Sequence, residues 1–148
     1  MEFGDFDIDY YSQDGSLSKD SPLRRWLDHF ELISAKTGRT NKPGPRLETW
    51  MKEAGFTNVQ AVKKILPIGT WPKDPKLVRY RLMVFSYPTD MTEKKIGAYN
   101  ITQLYEGLQG FTLRPFTKLL DWTPEEVEVL LMDVRKDLLN RNIHALFD

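Results

Sequence analysis

The chain has 148 residues, of which 41% are hydrophobic and 28% charged, and this is the size and composition of one globular domain. Twenty-one basic and twenty-one acidic side chains cancel, which excludes a protein-wide electrostatic attraction to nucleic acid or to an anionic membrane. Cysteine is absent, so disulfides, thiolate metal sites and thiol nucleophiles are excluded, and two histidines are too few for a histidine-rich metal centre.

The N-terminus is acidic where a signal peptide would be basic, and no apolar run approaches the roughly 20 residues that span a bilayer. We therefore expect a cytoplasmic or nuclear protein with neither a membrane nor a nucleic acid as its partner. The charge is nevertheless uneven along the chain. The first 20 residues hold six acids and one base, a net charge of −5, and the rest of the chain carries +5.

Residues 2–11 alternate between apolar and acidic side chains, which predicts a short strand that leads into a polar loop at residues 12–16. In open α/β sheets, ligands bind outside the carboxyl ends of the strands. Asp9, Tyr10 and Tyr11 are therefore expected near such an edge.

The first predicted helix covers residues 22–37, with Ser21 as its N-cap, Pro22 at its first position and Gly38 as its stop signal. Trp26 and Phe30 belong to its apolar stripe, a pattern that is more typical of a core than of a pocket.

A second helix is predicted to begin at Pro45 and to end at Gly55, and residues 57–66 follow as a strand. Residues 67–77 contain three prolines and are predicted to form a loop. Further helices are predicted at residues 94–109, at 115–120 and from Thr123 onward. The last of these opens with a capping box formed by Thr123 and Glu126.

Motifs that bind nucleotides or metals are absent from the sequence. It contains no GxGxxG and no GxxxxGK[ST] loop. The acidic run of Asp5, Asp7 and Asp9 does not fit a calcium-binding EF-hand loop, because Tyr10 and Ser16 occupy the positions that need glycine and glutamate. No catalytic residue and no metal ligand is assigned, although a hydrolase that uses these three aspartates stays open as a minor alternative.

Several segments together resemble a fungal family of class I S-adenosylmethionine-dependent methyltransferases that includes regulators of secondary metabolism and enzymes of natural-product clusters. The resemblance is carried by LETWMKEAGFTNVQ, LPIGTWPKD, TPEEVEVLLMDVRKDL and NIHALFD, and by EFGDFDIDYYSQDGSL with DSPLRRW near the N-terminus. The opening segment is similar to the one that follows an LKPGG turn in that family. The resemblance extends over nearly the whole chain except residues 78–93.

The resemblance implies an α/β fold, specifically a partial Rossmann-like methyltransferase fold that is mostly helical by residue count. Residues 1–148 would be the C-terminal portion of a methyltransferase domain. Residues 2–8 and 59–66 would be its fifth and sixth strands, and residues 21–38 and 94–140 would be helices on the substrate side. At the equivalent of Phe147-Asp148 the family usually continues into a final strand. It binds S-adenosylmethionine through motifs that precede the equivalent of Met1, so no cofactor-binding residue is assigned and the chain alone is expected to be inactive.

Residues 78–93 have no counterpart in the family and interrupt a junction between a loop and a helix. We interpret these sixteen residues as an anomalous insertion, with a translated, unspliced intron as the hypothesis. A valine codon at residue 78 supplies the GT of a splice donor, and Glu93 can be encoded by GAG, which ends in AG. A genuine lineage-specific loop is the alternative.

By resemblance, the function is methyl transfer from S-adenosylmethionine to a small-molecule or protein acceptor whose identity the sequence does not reveal. The alternative is a non-enzymatic, helical protein-interaction module. Candidates for the substrate side are Tyr10, Tyr11, Trp26, Phe30 and Tyr99.

Overall fold

A computed structural model describes residues 2–71 and 90–148 of the chain, with side chains at residues 2–71 and 92–148. Four helices and two short strands occupy these residues, in the order α1 (Pro22–Thr37), α2 (Gly44–Glu53), β1 (Leu66–Pro67), α3 (Asp90–Leu119), α4 (Pro124–Leu139) and β2 (Leu146–Phe147). The described part of the chain is therefore mostly helical, with one small two-stranded sheet.

Helix α1 begins and ends where its sequence signals predict. The hydroxyl oxygen of Ser21 accepts a hydrogen bond from the backbone N–H of Arg24, and Gly38 ends the helix in a left-handed conformation at φ 67°. A second acceptor comes from α4, because a carboxylate oxygen of Asp137 lies 3.0 Å from the backbone nitrogen of Leu23. The free N–H groups of the first turn of α1 are thus satisfied partly by its own cap and partly by its neighbour.

Helix α4 opens with the predicted capping box. The Thr123 hydroxyl accepts from the backbone N–H of Glu126, and the Glu126 carboxylate accepts from the backbone N–H of Thr123. All five of its buried side chains are leucine or valine, and they recur at intervals of three or four residues, so that α4 faces the core along one stripe.

Helix α3 corrects the prediction of two separate helices at 94–109 and 115–120. It runs without a break from Asp90 to Leu119 and contains Pro115. An interior proline removes one backbone hydrogen bond and costs about 3 kcal/mol. Leu108, Thr112 and Phe116 all have 0% exposure at a spacing of four residues, so the packing of a continuous apolar face outweighs this cost.

The core lies between α1, α3 and α4, which pack against one another in all three pairs. Fully buried side chains come from each helix, and aromatic rings fill the centre, where Trp26 lies against Phe30 with ring centroids 4.9 Å apart. The buried residues of this hydrophobic core are Tyr10, Leu23, Trp26, Leu27, Phe30, Ile68, Leu104, Leu108, Phe116, Val127, Leu130, Leu131, Val134, Leu138 and Ala145.

The sheet is built around β2. On one side β2 pairs antiparallel with β1, with Leu66 opposite Phe147 and Pro67 opposite Leu146. On the other side Tyr11 forms an antiparallel bridge to Leu146, with backbone hydrogen bonds of 3.0 and 2.8 Å. The segment that ends at Tyr11 and the segment that contains β1 therefore run parallel to each other on the two sides of β2.

The two predicted strands are much shorter than expected. Residues 2–10 form no strand, and of residues 57–66 only Leu66 belongs to one. A strand needs a neighbouring strand for its backbone groups, and in the described part of the chain the only strand beside either segment is the short β2. Of the strands predicted over residues 2–11 and 57–66, only the paired residues Tyr11 and Leu66 are confirmed, and the remaining length of both is wrong for this structure.

Helix α2 matches its predicted position to within a residue or two but is poorly covered. No residue between positions 38 and 66 is buried, and the large side chains of Trp50 and Phe56 are each 42% exposed. Ten-residue helices are marginal in water without tertiary packing. The apolar face of α2 is thus left without a partner among the described residues.

Most of the insertion predicted at residues 78–93 lies outside the described residues. Its last four residues form the first turn of α3, where Glu93 is only 6% exposed. None of the helices in the described part of the chain combines the length and the apolar character needed to cross a membrane.

Candidate functional site

The loops that follow the two parallel segments meet at one edge of the sheet. The N-terminal segment leads from Tyr11 into residues 12–17, and β1 leads into residues 68–71. Because β2 runs antiparallel to both, His144 and Ala145 enter the sheet at the same edge. This is the carboxyl edge of the two parallel segments, the place where open α/β sheets bind their ligands.

Four side chains from these three loops form a compact group, which we name the edge cluster: Asp14, Ser16, Trp71 and His144. The imidazole Nδ1 of His144 lies 2.5 Å from a carboxylate oxygen of Asp14, and the backbone N–H of His144 donates to the Ser16 hydroxyl oxygen at 2.8 Å. The Trp71 ring stacks on the His144 ring, with centroids 4.8 Å apart and planes inclined by 27°. Residues far apart in sequence are thus fixed around one imidazole.

Asp14 is held in its ionised form. Hydrogen bonds from the hydroxyl and then the backbone N–H of Ser16, followed by the contact with His144, lower the pKa of the Asp14 carboxyl to about 2. An ionised carboxylate can only accept hydrogen bonds, so Nδ1 of His144 must carry the hydrogen that they share. Nε2 is then the ring nitrogen that faces no hydrogen-bond partner among the described residues, on a side chain that is 34% exposed.

Trp71 brings a second unusual feature to the edge cluster. Its indole Nε1 is buried and has no acceptor among the residues that the structure describes. An unpaired buried donor costs about 1–3 kcal/mol, so such groups are rare outside functional sites. The edge cluster therefore combines an oriented histidine with an unsatisfied donor.

Tyr10 and Tyr11, two of the predicted substrate-side residues, both lie at this edge of the sheet but in different environments. Tyr10 is 6% exposed and packs against Trp26 and Phe147, and this burial raises its pKa to about 12. Tyr11 is partly exposed, and its hydroxyl donates to the Asp148 side chain at 3.0 Å.

Trp26 and Phe30, the next two candidates, lie in the helical core and are 2% and 9% exposed. The Trp26 indole N–H is satisfied inside the core, because it donates to the Thr112 hydroxyl at 2.9 Å. These two side chains are buried in the core and do not line an open surface in this structure.

Tyr99, the fifth candidate, lies on α3 and is 76% exposed. The part of α3 that carries it does reach the sheet, because the Asn100 side chain donates to the backbone oxygen of Pro67 at 2.9 Å. The structure thus packs Tyr10 into the core with Trp26 and Phe30, directs Tyr11 to Asp148, and leaves Tyr99 separate on the surface.

The aspartates of the N-terminal segment are committed to structural contacts. Asp7 accepts a hydrogen bond from the backbone N–H of Gly44 at the start of α2. Asp9 lies 2.9 Å from both Arg24 and Lys42, and although its partial burial acts to raise its pKa, these two cations lower it overall. Among the described residues, no group of three or more potential ligands is arranged to hold a metal ion.

The acidic side chains at the sheet are all paired. Asp7, Asp9 and Asp14 are paired as described, and the Asp148 carboxylate is shared between Tyr11 and Lys63. Each of these four carboxylates therefore already has at least one partner within the structure.

Sequence reasoning missed the edge cluster. The sequence predicts only a polar loop at residues 12–16, and its two histidines are too few to indicate a metal centre. The available signal was that two of the segments that carry the resemblance, EFGDFDIDYYSQDGSL and NIHALFD, contain three members of the cluster. Their proximity depends on the pairing of β2 with Tyr11, which the alternation pattern alone does not give.

Comparison with known proteins identifies fungal methyltransferases as relatives. The chain is 38% identical to methyltransferase pytC of Aspergillus terreus over 138 residues, which is 93% of this chain and 38% of that protein. It is 29% identical to the probable methyltransferase tdiE of Emericella nidulans over 90% of this chain and 37% of the relative. It is 25% identical to the protein-methionine methyltransferase laeA of Emericella nidulans over 97% of this chain and 34% of the relative.

No protein-family model matches the chain, and no solved structure matches it. The chain spans little more than a third of the length of the curated relatives that it matches. S-adenosylmethionine is the methyl donor that these relatives imply for the family. Over almost its whole length, this chain is therefore similar to one part of several fungal methyltransferases.

Proposed function

We propose that this chain is the acceptor-side, C-terminal portion of an S-adenosylmethionine-dependent methyltransferase, and that a separate, preceding portion holds the methyl donor. The observation that carries the proposal is the homology to methyltransferase pytC, which extends over 93% of this chain but only 38% of the relative. A segment that matches so little of an enzyme supplies part of its site, and alone it is expected to be inactive.

The arrangement of the sheet supports this assignment. The resemblance assigns residues 2–8 and 59–66 to the fifth and sixth strands of a Rossmann-like sheet and expects a final strand after them. In the structure the chain around Tyr11, β2 and β1 lie side by side, with β2 between the other two. The late part of a Rossmann-like sheet is therefore the architecture that we propose.

The exposed stretch from residue 38 to residue 66 supports it as well. A contiguous run of the chain that contains Leu47, Trp50, Phe56 and Val62 but buries no side chain is unusual for a complete domain. In our proposal the remainder of the methyltransferase covers this stretch. Amides of α2 should then exchange rapidly with deuterium in the 148-residue chain and slowly in the longer protein.

The acceptor, a small molecule or a protein, stays open. The relative laeA is described as a protein-methionine methyltransferase, and LAE1 of Cochliobolus heterostrophus as a secondary metabolism regulator. For this chain, neither a membrane nor a nucleic acid is proposed as a partner, and a cytoplasmic or nuclear location stays a prediction.

The genomic DNA upstream of the Met1 codon tests the proposal. A continuous frame that encodes an acidic residue followed by a glycine-rich loop, and whose product binds S-adenosylhomocysteine, is the expected result. If upstream sequence has no such frame, the chain is instead a non-enzymatic, helical interaction module, which was the alternative from its sequence.

Sequencing of mature transcripts tests the separate hypothesis about residues 78–93. We propose that these residues are encoded by an unspliced intron, and messages that join the codons of Leu77 and Lys94 directly are expected. Retention of the sixteen codons in every mature message would show that the segment is a genuine loop.

A further inference from the structure

The edge cluster has the geometry of a side chain that is prepared to accept a proton. His144 is fixed from three directions, by the carboxylate of Asp14 at Nδ1, by the Ser16 hydroxyl at its backbone N–H and by the Trp71 ring on its face. A carboxylate that holds Nδ1–H sets the tautomer of the imidazole and directs the basic nitrogen, Nε2, away from itself.

The position of His144 in the fold is a second observation, separate from its side-chain contacts. The residue enters the sheet at the carboxyl edge, beside Tyr11 and the loop that follows β1, where ligands of open α/β sheets bind. The other histidine, His29, does not share this position. It lies on α1, where its Nδ1 is 2.6 Å from the backbone oxygen of Arg25 and its ring packs against Trp122.

We propose that His144 is the general base of the methyl transfer, that Asp14 is the positioning residue that orients it, and that the acceptor is an acidic hydroxyl, a phenol or an enol. This inference rests on the proposed function and adds to it the class of the acceptor. The hydroxyl proton passes to Nε2 of His144. The acceptor oxygen forms the new bond to the methyl carbon of the sulfonium donor, and the electron pair of the broken carbon–sulfur bond remains on sulfur.

The chemistry of the base selects this class of acceptor. A thioether such as a methionine side chain carries no proton, so its methylation gains nothing from a base. An alkyl alcohol is a much weaker acid than the imidazolium ion, so proton transfer to Nε2 is far less favourable from an alcohol than from a phenol or an enol. A phenol or an enol lies between these limits, and a positioned base then accelerates the transfer by about 10²–10⁴-fold.

Trp71 contributes to the same site. Its ring covers one face of His144, so that the imidazole cannot turn away from the edge without losing the stack. Its unpaired indole N–H is a hydrogen-bond donor beside His144. After a small movement of the ring, this N–H can donate to an oxygen atom of the methyl acceptor.

The test uses the longer protein, encoded by the frame that contains this chain, with a panel of phenols, enols and thioethers as acceptors and release of S-adenosylhomocysteine as the readout. His144→Gln is expected to lower kcat for the hydroxyl acceptors by about 10²–10⁴-fold. Asp14→Asn should give a smaller loss in kcat. His29→Gln changes the other histidine of the chain and is the matched control, which should keep the rate of the unmodified protein.

Chemical rescue separates a base from a structural residue. Added imidazole should restore hydroxyl methylation to His144→Gly, whereas a histidine needed only for folding would not be replaced in this way. A His144→Gln variant that keeps its rate, or transfer to thioethers only, overturns the inference and leaves the proposed function in place. If the unmodified longer protein neither binds the methyl donor nor transfers a methyl group to any acceptor, the proposed function is overturned and the inference falls with it.

Discussion

Gly69 and Gly97 meet backbone to backbone where the loop after β1 crosses helix α3. The N–H of Gly69 donates to the backbone oxygen of Gly97 at 2.9 Å. A Cβ atom at Gly97 would lie 2.1 Å from the backbone oxygen of Gly69, far inside van der Waals contact, and Gly69 itself has a φ of 98°. This contact fixes the loop that carries Trp71, and therefore one wall of the edge cluster.

Gly97→Ala should destabilise the protein, because the atom in its way belongs to the backbone and can move only with the loop. Overpacked sites typically lose about 1–3 kcal/mol in the free energy of unfolding, and we expect a loss near the upper end of that range here. Gly110→Ala on the same helix is the control. Nothing lies within 4 Å of its added Cβ, and alanine there should stabilise the helix by about 0.5–1 kcal/mol. Urea denaturation measures both changes, and equal effects of the two substitutions would contradict the contact.

Thr112→Val should leave the indole N–H of Trp26 without an acceptor in the core. The Thr112 hydroxyl, on a side chain with 0% exposure, accepts from this N–H and donates to the backbone oxygen of Leu108. The variant has nearly the same shape, so the expected loss of about 1–3 kcal/mol is the cost of an unsatisfied buried donor. Thermal unfolding should show little change for Thr102→Val, where the exposed hydroxyl bonds only to the preceding turn.

Asp7→Ala should weaken the start of helix α2. Pro43 provides no side-chain cap there, and the carboxylate of Asp7 accepts from the backbone N–H of Gly44 at 2.8 Å in its place. Loss of a capping acceptor costs about 0.5–2 kcal/mol. Asp5→Ala, which removes only a local bond to the next backbone N–H, is the matched control. An equal loss of stability in both variants would refute a capping role for Asp7.

Acid should destabilise the chain partly through Asp14. Its pKa is about 2 in the folded protein against an ordinary value of 3.8. A carboxylate with a lowered pKa stabilises the fold above pH 3.8, and this contribution is lost as the pH falls through about 2. The difference in unfolding free energy between the parent and Asp14→Asn should therefore shrink between pH 5 and pH 2. A difference that stays constant over this range would show that the ionised carboxylate contributes nothing.

The elements that the sequence predicted well are those whose signals are local. The caps of α1 and α4 depend on Ser21, Gly38 and the Thr123–Glu126 box. Each of these residues forms its capping hydrogen bond with a residue only three or four positions away. The break expected before Pro115 is wrong because buried contacts of Phe116 with other elements decide that region. Strand length is equally non-local, since it depends on which segments lie beside residues 2–8 and 57–65.

The edge cluster illustrates the same limit at the level of the site. The contact of Asp14 with His144 joins residues that are 130 positions apart in sequence. The resemblance identified the two segments that contain them, and the expectation that ligands bind at the carboxyl edge identified the place. Which side chains meet there follows only from the antiparallel pairing of β2 with Tyr11.

Titration calorimetry with S-adenosylhomocysteine tests the central claim most directly, namely that this chain supplies the acceptor side of a methyltransferase and not the donor site. The 148-residue chain should bind it weakly or not at all, while the longer protein that includes the preceding portion should bind it with micromolar affinity. Micromolar binding by the 148-residue chain alone would contradict the claim.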